Sequence, residues 1–374
     1  MKRKRRKNRS RNSSRVKQLV NYPQRIEGEQ SINQQMDTTE IIKGIQLERS
    51  SRLIAYIVST RQGVSFQIAD DAVRVIYDHL VSLKIKKGEK IDLFLHSFGG
   101  VGVVPWKLVN LIREFTDNFE VLVPYKAYSA ATLIALGANK IIMHVMGELG
   151  PIDPQVANEF NPITPQGQQI GINVEDLVSY IAFVKDFVGI THEDELIQSL
   201  NALTNNIHPL ALGNVHRFYS QSRMMARKLL KLHMTDPKDE YIIDEVTETL
   251  TSKLFFHGHP INRKEAADLK LKIENPTQEV ESLMWNLYLM YEKDLQMKTT
   301  FNPKEMLNSS GRDTLDSIEV IGACIESEIK KDKFVSKFRI TRPPIPQNAP
   351  LPLRIQASIE AITVPLGSGW ESER

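Results

Sequence analysis

From about residue 40 to residue 145, short apolar runs alternate with segments in which apolar residues recur every three or four positions. RLIAYIVS (52–59), KIDLFLHS (90–97), EVLVPY (120–125) and KIIMHV (140–145) predict buried strands. DDAVRVIYDHLVSLK (70–84), PWKLVNLIREF (105–115) and the small-residue segment SAATLIALGA (129–138) predict helices between them. Such β/α alternation predicts an α/β protein with a largely parallel sheet covered by helices.

After the loop MGELGPIDPQ (146–155) the spacing turns helical, over 174–189, 192–203, about 209–232, 261–273 and 277–297. DSIEVIGACIESEI and KFVSKFRITR then predict a hairpin, and no internal repeat is evident. Residues 1–38, basic and then Gln/Asn/Ser-rich without periodicity, are expected to be disordered. The expected organisation is therefore that tail, a core over 39–275, a helix plus hairpin over 276–342, and a loose Pro-rich tail over 343–374.

Composition is that of a globular chain, 41% hydrophobic and 25% charged over 374 residues. No apolar run approaches the roughly 20 residues of a membrane span. The single cysteine, Cys324, excludes an internal disulfide framework and a cysteine-based metal site, and it fits a reducing compartment. The net charge of +3 hides an asymmetry: residues 1–25 hold eleven Lys/Arg and no acid, leaving the remainder at −8. This tail suits nucleic acid, an anionic membrane or another acidic surface, or serves as a solubilising segment. It lacks the apolar stretch of a secretory signal.

Two turns carry the candidate chemistry. KIDLFLHSFGG ends a strand in Gly99 and Gly100, whose N–H groups, with that of Val101, could hold a developing oxyanion. Ser129 follows Ala127 and precedes Ala130 and Ala131, so small neighbours permit a tight elbow at a helix start. Each turn alone has a plain structural reading: a tight strand-to-helix connection for the glycines, an N-cap for the serine. Together, in adjacent parallel β/α units, they fall on one sheet edge, as a nucleophile and its oxyanion hole require. No histidine spacing suits a metal: His233, His257 and His259 do not form a ligand set, and His208 and His216 flank or ride a long helix.

HSFGGVGVVPWKLVNLIREF, VPYKAYSAATLIALGANKIIM, GELGPIDPQ, HPLALGNVHRFYSQSRMMARKLL and KLFFHGHPINRKEAADLKL together resemble the serine dehydrogenase proteinase family. That family has the Clp/crotonase fold and is related to signal peptide peptidases. The resemblance covers roughly residues 40–275. It implies a Clp/crotonase-like core with a helical C-terminal extension, and a cytoplasmic, homo-oligomeric serine peptidase acting on peptides without a cofactor or metal. It makes Ser129 the nucleophile and places Gly99, Gly100, Val101 and the start of the helix at Ala130 in the oxyanion hole. Phe98 stands where relatives often have proline, and Ala131 where they often have glycine.

The base stays open between alternatives. Asp153 occupies the place of the Clp-type histidine and would orient a base or form a turn. Signal peptide peptidases use a lysine instead, and Lys185 lies at a compatible separation, 56 residues after Ser129. It borders the apolar face carrying Val178 and Ile181, where desolvation would free its amine, or it snorkels off the helix edge. His257, with Asp153, would complete a permuted Ser–His–Asp set, or cap a turn. Two readings compete with a peptidase: a Clp-fold scaffold recruited by the basic tail, and a crotonase acting on acyl-CoA thioesters.

Overall fold

The computed structural model describes residues 37–152, 155–156, 159–164, 169–254, 258–344, 350–352 and 360–373. The chain enters with helix α1 (Thr38–Arg49), started by Asp37, whose carboxylate accepts the Glu40 N–H at 2.8 Å. Then come β1 (Ser51–Val58), α2 (Asp71–Ser82), β2 (Lys90–His96), α3 (Val104–Phe115) and β3 (Phe119–Val123). A two-residue strand β4 (Lys126–Ala127) leads into α4 (Ala130–Leu136), followed by β5 (Lys140–Met143) and β6 (Glu148–Leu149).

A helical arm follows the short hairpin β7 (Gln155–Val156) and β8 (Ile172–Asn173). It comprises α5 (Val174–Ala182), a π-helical turn Phe183–Phe187, α6 (Glu193–Thr204), α7 (Pro209–Lys231) and α8 (Asp239–Glu248). The chain then runs through β9 (Ile261–Asn262), α9 (Arg263–Asp268), β10 (Ile273–Glu274), α10 (Gln278–Asp294) and α11 (Pro303–Ser310). It closes with β11 (Thr314–Ser327), β12 (Lys331–Thr341) and β13 (Ile362–Ser372).

One eight-stranded sheet organises the molecule, in the order β10-β5-β3-β2-β1-β11-β12-β13. The five strands from β10 to β1 run parallel, and β11 joins β1 antiparallel. The C-terminal hairpin therefore continues the main sheet. The parallel strands β1, β2, β3 and β5 are buried along nearly their whole length, covered on both faces, which is why they read as unbroken apolar runs. Along β1, Ile54, Tyr56 and Val58 pack with α2, α3 and α4, whereas Leu53, Ala55 and Ile57 pack with Ile41, Ile42 and Ile45 of α1 and Leu283, Met284 and Leu287 of α10.

The expected loose tail over 343–374 needs correction, because Ile362–Ser372 is a strand paired along β12. Pro365, Gly367 and Gly369 hide it in the sequence, since these residues are poor strand formers. Trp370 anchors it, its indole N–H donating to Asp71 at 2.8 Å and its ring meeting Phe334 edge-on. Among the described residues no helix is long and apolar enough to cross a membrane.

Candidate active site

Parallel strands deliver the two turns to one sheet edge, and the backbone ties them together there. The Ser97 N–H donates to the Lys126 carbonyl at 2.9 Å, and the Tyr128 N–H donates to the Ser97 carbonyl at 3.0 Å. The small sheet β4-β6-β9 continues from this junction, with Ala127 beside Leu149 and Leu149 beside Ile261.

The glycine turn is held on both sides. The Ser97 hydroxyl accepts the Gly99 N–H at 2.9 Å, the Gly99 carbonyl accepts the Ile68 N–H at 2.8 Å, and the Ile68 carbonyl accepts the Val101 N–H at 2.9 Å. Gly99 has φ +119° and Gly100 φ +157°, a region other residues rarely adopt. A Cβ on Gly99 would stand 2.7 Å from the Ser129 Cβ, and one on Gly100 would stand 2.2 Å from the Ile68 carbonyl oxygen. Glycine is therefore required twice, once for the approach of Ser129 and once for the contact with Ile68.

Ser129 occupies the N-cap position of α4 without capping it. Its hydroxyl accepts no helix N–H, and its φ of 52° with ψ of −114° lies outside the extended region of an ordinary N-cap. A non-glycine residue there stores about 1–3 kcal/mol of strain. The hydroxyl is half-buried and has no hydrogen-bond partner among the described residues. The elbow is braced by Thr132, whose hydroxyl lies 2.7 Å from the Ala127 carbonyl and accepts the Gly150 N–H at 3.1 Å.

Of the four N–H groups expected around the oxyanion, two are already committed: Gly99 to Ser97 and Val101 to Ile68. The Gly100 and Ala130 N–H groups make no hydrogen bond among the described residues, and they flank the contact between Gly99 and Ser129.

Beside this contact lies a group the sequence reading did not single out. The Lys126 ammonium stands over three rings, at 5.0 Å from the centroid of Tyr125, 5.5 Å from Phe98 and 5.7 Å from Tyr128. The Tyr128 hydroxyl donates to Glu148 at 2.5 Å, and burial together with that carboxylate pushes the phenol's pKa up. Beneath lies His96, fully buried and stacked on Tyr125 at 6.0 Å, with Nδ1 accepting the Lys126 N–H at 3.2 Å. Burial lowers its pKa to about 3, with the Lys126 charge acting in the same direction. His96 is thus a neutral structural imidazole.

Among the expected bases, Asp153 and His257 lie outside the described residues. Lys185 lies in the π-helical turn after α5 and is exposed, with no hydrogen bond or ion pair among the described residues. The apolar border expected to desolvate it is itself exposed, at Val178 and Ile181. The wider π turn breaks the four-residue spacing that would align Lys185 with them, and Val184 takes the buried position instead. His208 caps α7, accepting the Leu210 N–H at 3.2 Å, and His259 contacts Glu265 at 2.8 Å. Among the described residues no three His, Cys, Asp or Glu groups gather as a metal site.

A second Ser–His–Asp arrangement was not legible, because its members come from α2, β11 and β12. His79 Nδ1 lies 2.9 Å from the Ser327 hydroxyl and Nε2 2.9 Å from Asp332. All three are buried, so no peptide reaches them. The set fastens α2 to the hairpin.

Residues 19–165 match the model of a family described as ClpP-like SDH-type serine proteinase. Two uncharacterized proteins of Methanocaldococcus jannaschii are similar to the chain. One is 28% identical over 200 residues, covering 53% of this chain and 58% of that protein. The other is 29% identical over 129 residues, covering 32% and 43%. The chain thus spans about half the length of the curated relatives it matches. Two solved structures of variants of the 1510-N membrane-bound stomatin-specific protease, one in complex with a substrate peptide, are each 15% identical. They have TM-scores of 0.33 and 0.32, covering 62% and 61% of this chain and 84% and 78% of theirs.

Proposed function

We propose that this chain, whose residues 19–165 match the model of the ClpP-like SDH-type serine proteinases, is a serine endopeptidase with Ser129 as its nucleophile. The observation that carries this reading is the backbone of Ser129. A capping serine would sit in the extended region and bond the helix, whereas this one holds a strained elbow with a free hydroxyl against Gly99. Strain retained at one position in a well-braced turn points to function.

In the proposed mechanism the Ser129 Oγ attacks a peptide carbonyl as a base removes its proton. The carbonyl oxygen, now an oxyanion, accepts from the Gly100 and Ala130 N–H groups. The base then protonates the leaving amine, and water repeats the sequence on the acyl-enzyme. Lys185 and the pair His257 with Asp153 are the candidates for that base. The exposed apolar residues Phe187, Ile197 and Leu200, on an arm whose helix α6 buries none of its residues, favour a homo-oligomer. Assembly would be one way to desolvate Lys185. A cytoplasmic location belongs to the same proposal, as does contact of residues 1–25 with nucleic acid or an anionic membrane.

A fluorophosphonate probe read by intact-protein mass tests the reading on wild type, Ser129→Ala, Lys185→Ala, His257→Ala and Asp153→Ala. Labelling lost in Ser129→Ala supports the peptidase, and the base variant that also loses it names the base. An unlabelled, well-folded wild type would leave the scaffold reading in its place. Turnover of acyl-CoA esters that survives Ser129→Ala would point to the crotonase.

A further inference from the structure

We propose that Lys126 is the specificity residue of this site and that it reads a carboxylate carried by the peptide next to the scissile bond. The inference rests on the peptidase reading above and names the substrate class for it.

The argument starts from what surrounds the ammonium. Three ring faces hold it, those of Phe98, Tyr125 and Tyr128, all within 6 Å. Aromatic faces attract a cation but carry no net charge, so the lysine is fixed in place with its charge intact. Among the described residues no carboxylate lies within ion-pair distance of it. Glu148 is its cross-strand neighbour on β6, yet that carboxylate accepts from the Tyr128 hydroxyl. Tyr125 is in turn stacked on His96 and meets Trp285 and Tyr288 edge-on, so the cage has a buried foundation. The pattern is that of a preorganised cation without a counter-ion.

Its place in the chain gives the cation its use. Phe98 directly precedes Gly99, Tyr128 directly precedes Ser129, and those two rings pack together at 5.9 Å. Two of the three rings that hold Lys126 are thus the immediate neighbours of the contact between Gly99 and Ser129. Phe98 is 51% exposed and Lys126 is half-buried, so the cage opens to solvent. A peptide laid across Ser129 passes beside this charge, and a carboxylate on it would gain a charge-assisted contact. Two sources share that chemistry: an Asp or Glu side chain, and a free chain terminus.

The test uses the full chain and quenched peptides differing only in Glu against Gln at each position around the cleaved bond. A second pair carries a free or an amidated C-terminus. Wild type is expected to prefer Glu over Gln at one position by about tenfold in kcat/KM, expressed mainly in KM. If the preference lies in the terminal pair instead, the carboxylate is that of the chain end. Lys126→Met is expected to bring the ratio to about one, Lys126→Arg to keep it, and Lys126→Glu to transfer the preference to Lys-bearing peptides. High salt should reduce the wild-type ratio.

Equal ratios in wild type and Lys126→Met, with fluorophosphonate labelling of Ser129 intact, would overturn this inference and leave the peptidase reading standing. Absent labelling would count against the peptidase reading itself. The same peptides titrated onto Ser129→Ala by fluorescence anisotropy then decide the inference alone. A preference for Glu that disappears in Ser129→Ala combined with Lys126→Met supports it, and no preference overturns it.

Discussion

Gly99 and Ser129 belong to different β/α units, yet they meet so closely that a Cβ on the glycine would stand 2.7 Å from the serine Cβ and 3.1 Å from its Oγ. Gly99→Ala must therefore displace the elbow or the loop, and it does so at a φ of +119°. We expect phosphonate labelling and peptidase rate to fall at least about 100-fold, the effect of a misplacement of about 1 Å. The far-ultraviolet circular dichroism spectrum should stay that of wild type. Gly100→Ala should cost activity and also stability, since its Cβ would meet the Ile68 carbonyl at 2.2 Å and break the hydrogen bonds that join the two segments.

Much of this arrangement was legible because parallel strands buried on both faces give unbroken apolar runs. Those runs placed β1, β2, β3 and β5 within a residue or two and set both turns on one edge. The backbone of Ser129 was not legible, since a serine after alanine reads equally as a cap. Lys126 escaped notice because its rings come from two units, Phe98 from one and Tyr125 and Tyr128 from the other. The His79, Ser327 and Asp332 set is assembled from segments some 250 residues apart, beyond any spacing rule. Helix α1 also went unread, its apolar face being only Ile41, Ile42 and Ile45.

At the opposite edge of the sheet, Arg49 joins two buried carboxylates. It donates to Asp92 at 2.6 Å and also bonds Glu120, with Lys90 at 3.6 Å from Glu120. Arg49→Met would leave Asp92, which is fully buried, without a cation. The expected loss is about 3–5 kcal/mol, measured by urea unfolding. Adding Asp92→Asn should recover part of it, because the stranded charge is then gone.

The buried His79 makes stability depend on pH. Burial lowers its pKa to about 4, although Asp332 pulls the other way. The unfolded chain takes up the proton near pH 6.5, whereas the folded protein resists it until about pH 4. Stability is therefore complete above about pH 6.5 and declines as pH falls towards 4, by about 2–3 kcal/mol for this residue. His96 and His233, lowered by burial to about 3 and about 4, steepen the same fall. In His79→Gln the difference in unfolding free energy between pH 7 and pH 5 should shrink by about one proton's share, roughly 1.4 kcal/mol per pH unit. An unchanged difference would mean that His79 titrates normally in the folded protein.

Replacing Ser129 separates chemistry from strain. Ser129→Ala removes the hydroxyl but keeps a Cβ at φ 52° and ψ −114°, so the backbone cost remains. Ser129→Gly removes both, relieving about 1–3 kcal/mol of strain, while its greater freedom in the unfolded chain costs about 0.4–1 kcal/mol. The glycine variant should therefore melt at or above the temperature of the alanine variant, although both lose phosphonate labelling. At an ordinary helix cap glycine would likewise outrank alanine, but neither variant would match wild type, because both would forfeit a capping bond that this serine does not make. Thermal melts of the two variants beside wild type thus report on the elbow itself. A glycine variant clearly less stable than wild type would mean that the backbone at residue 129 is relaxed, and the nucleophile assignment would lose its principal support.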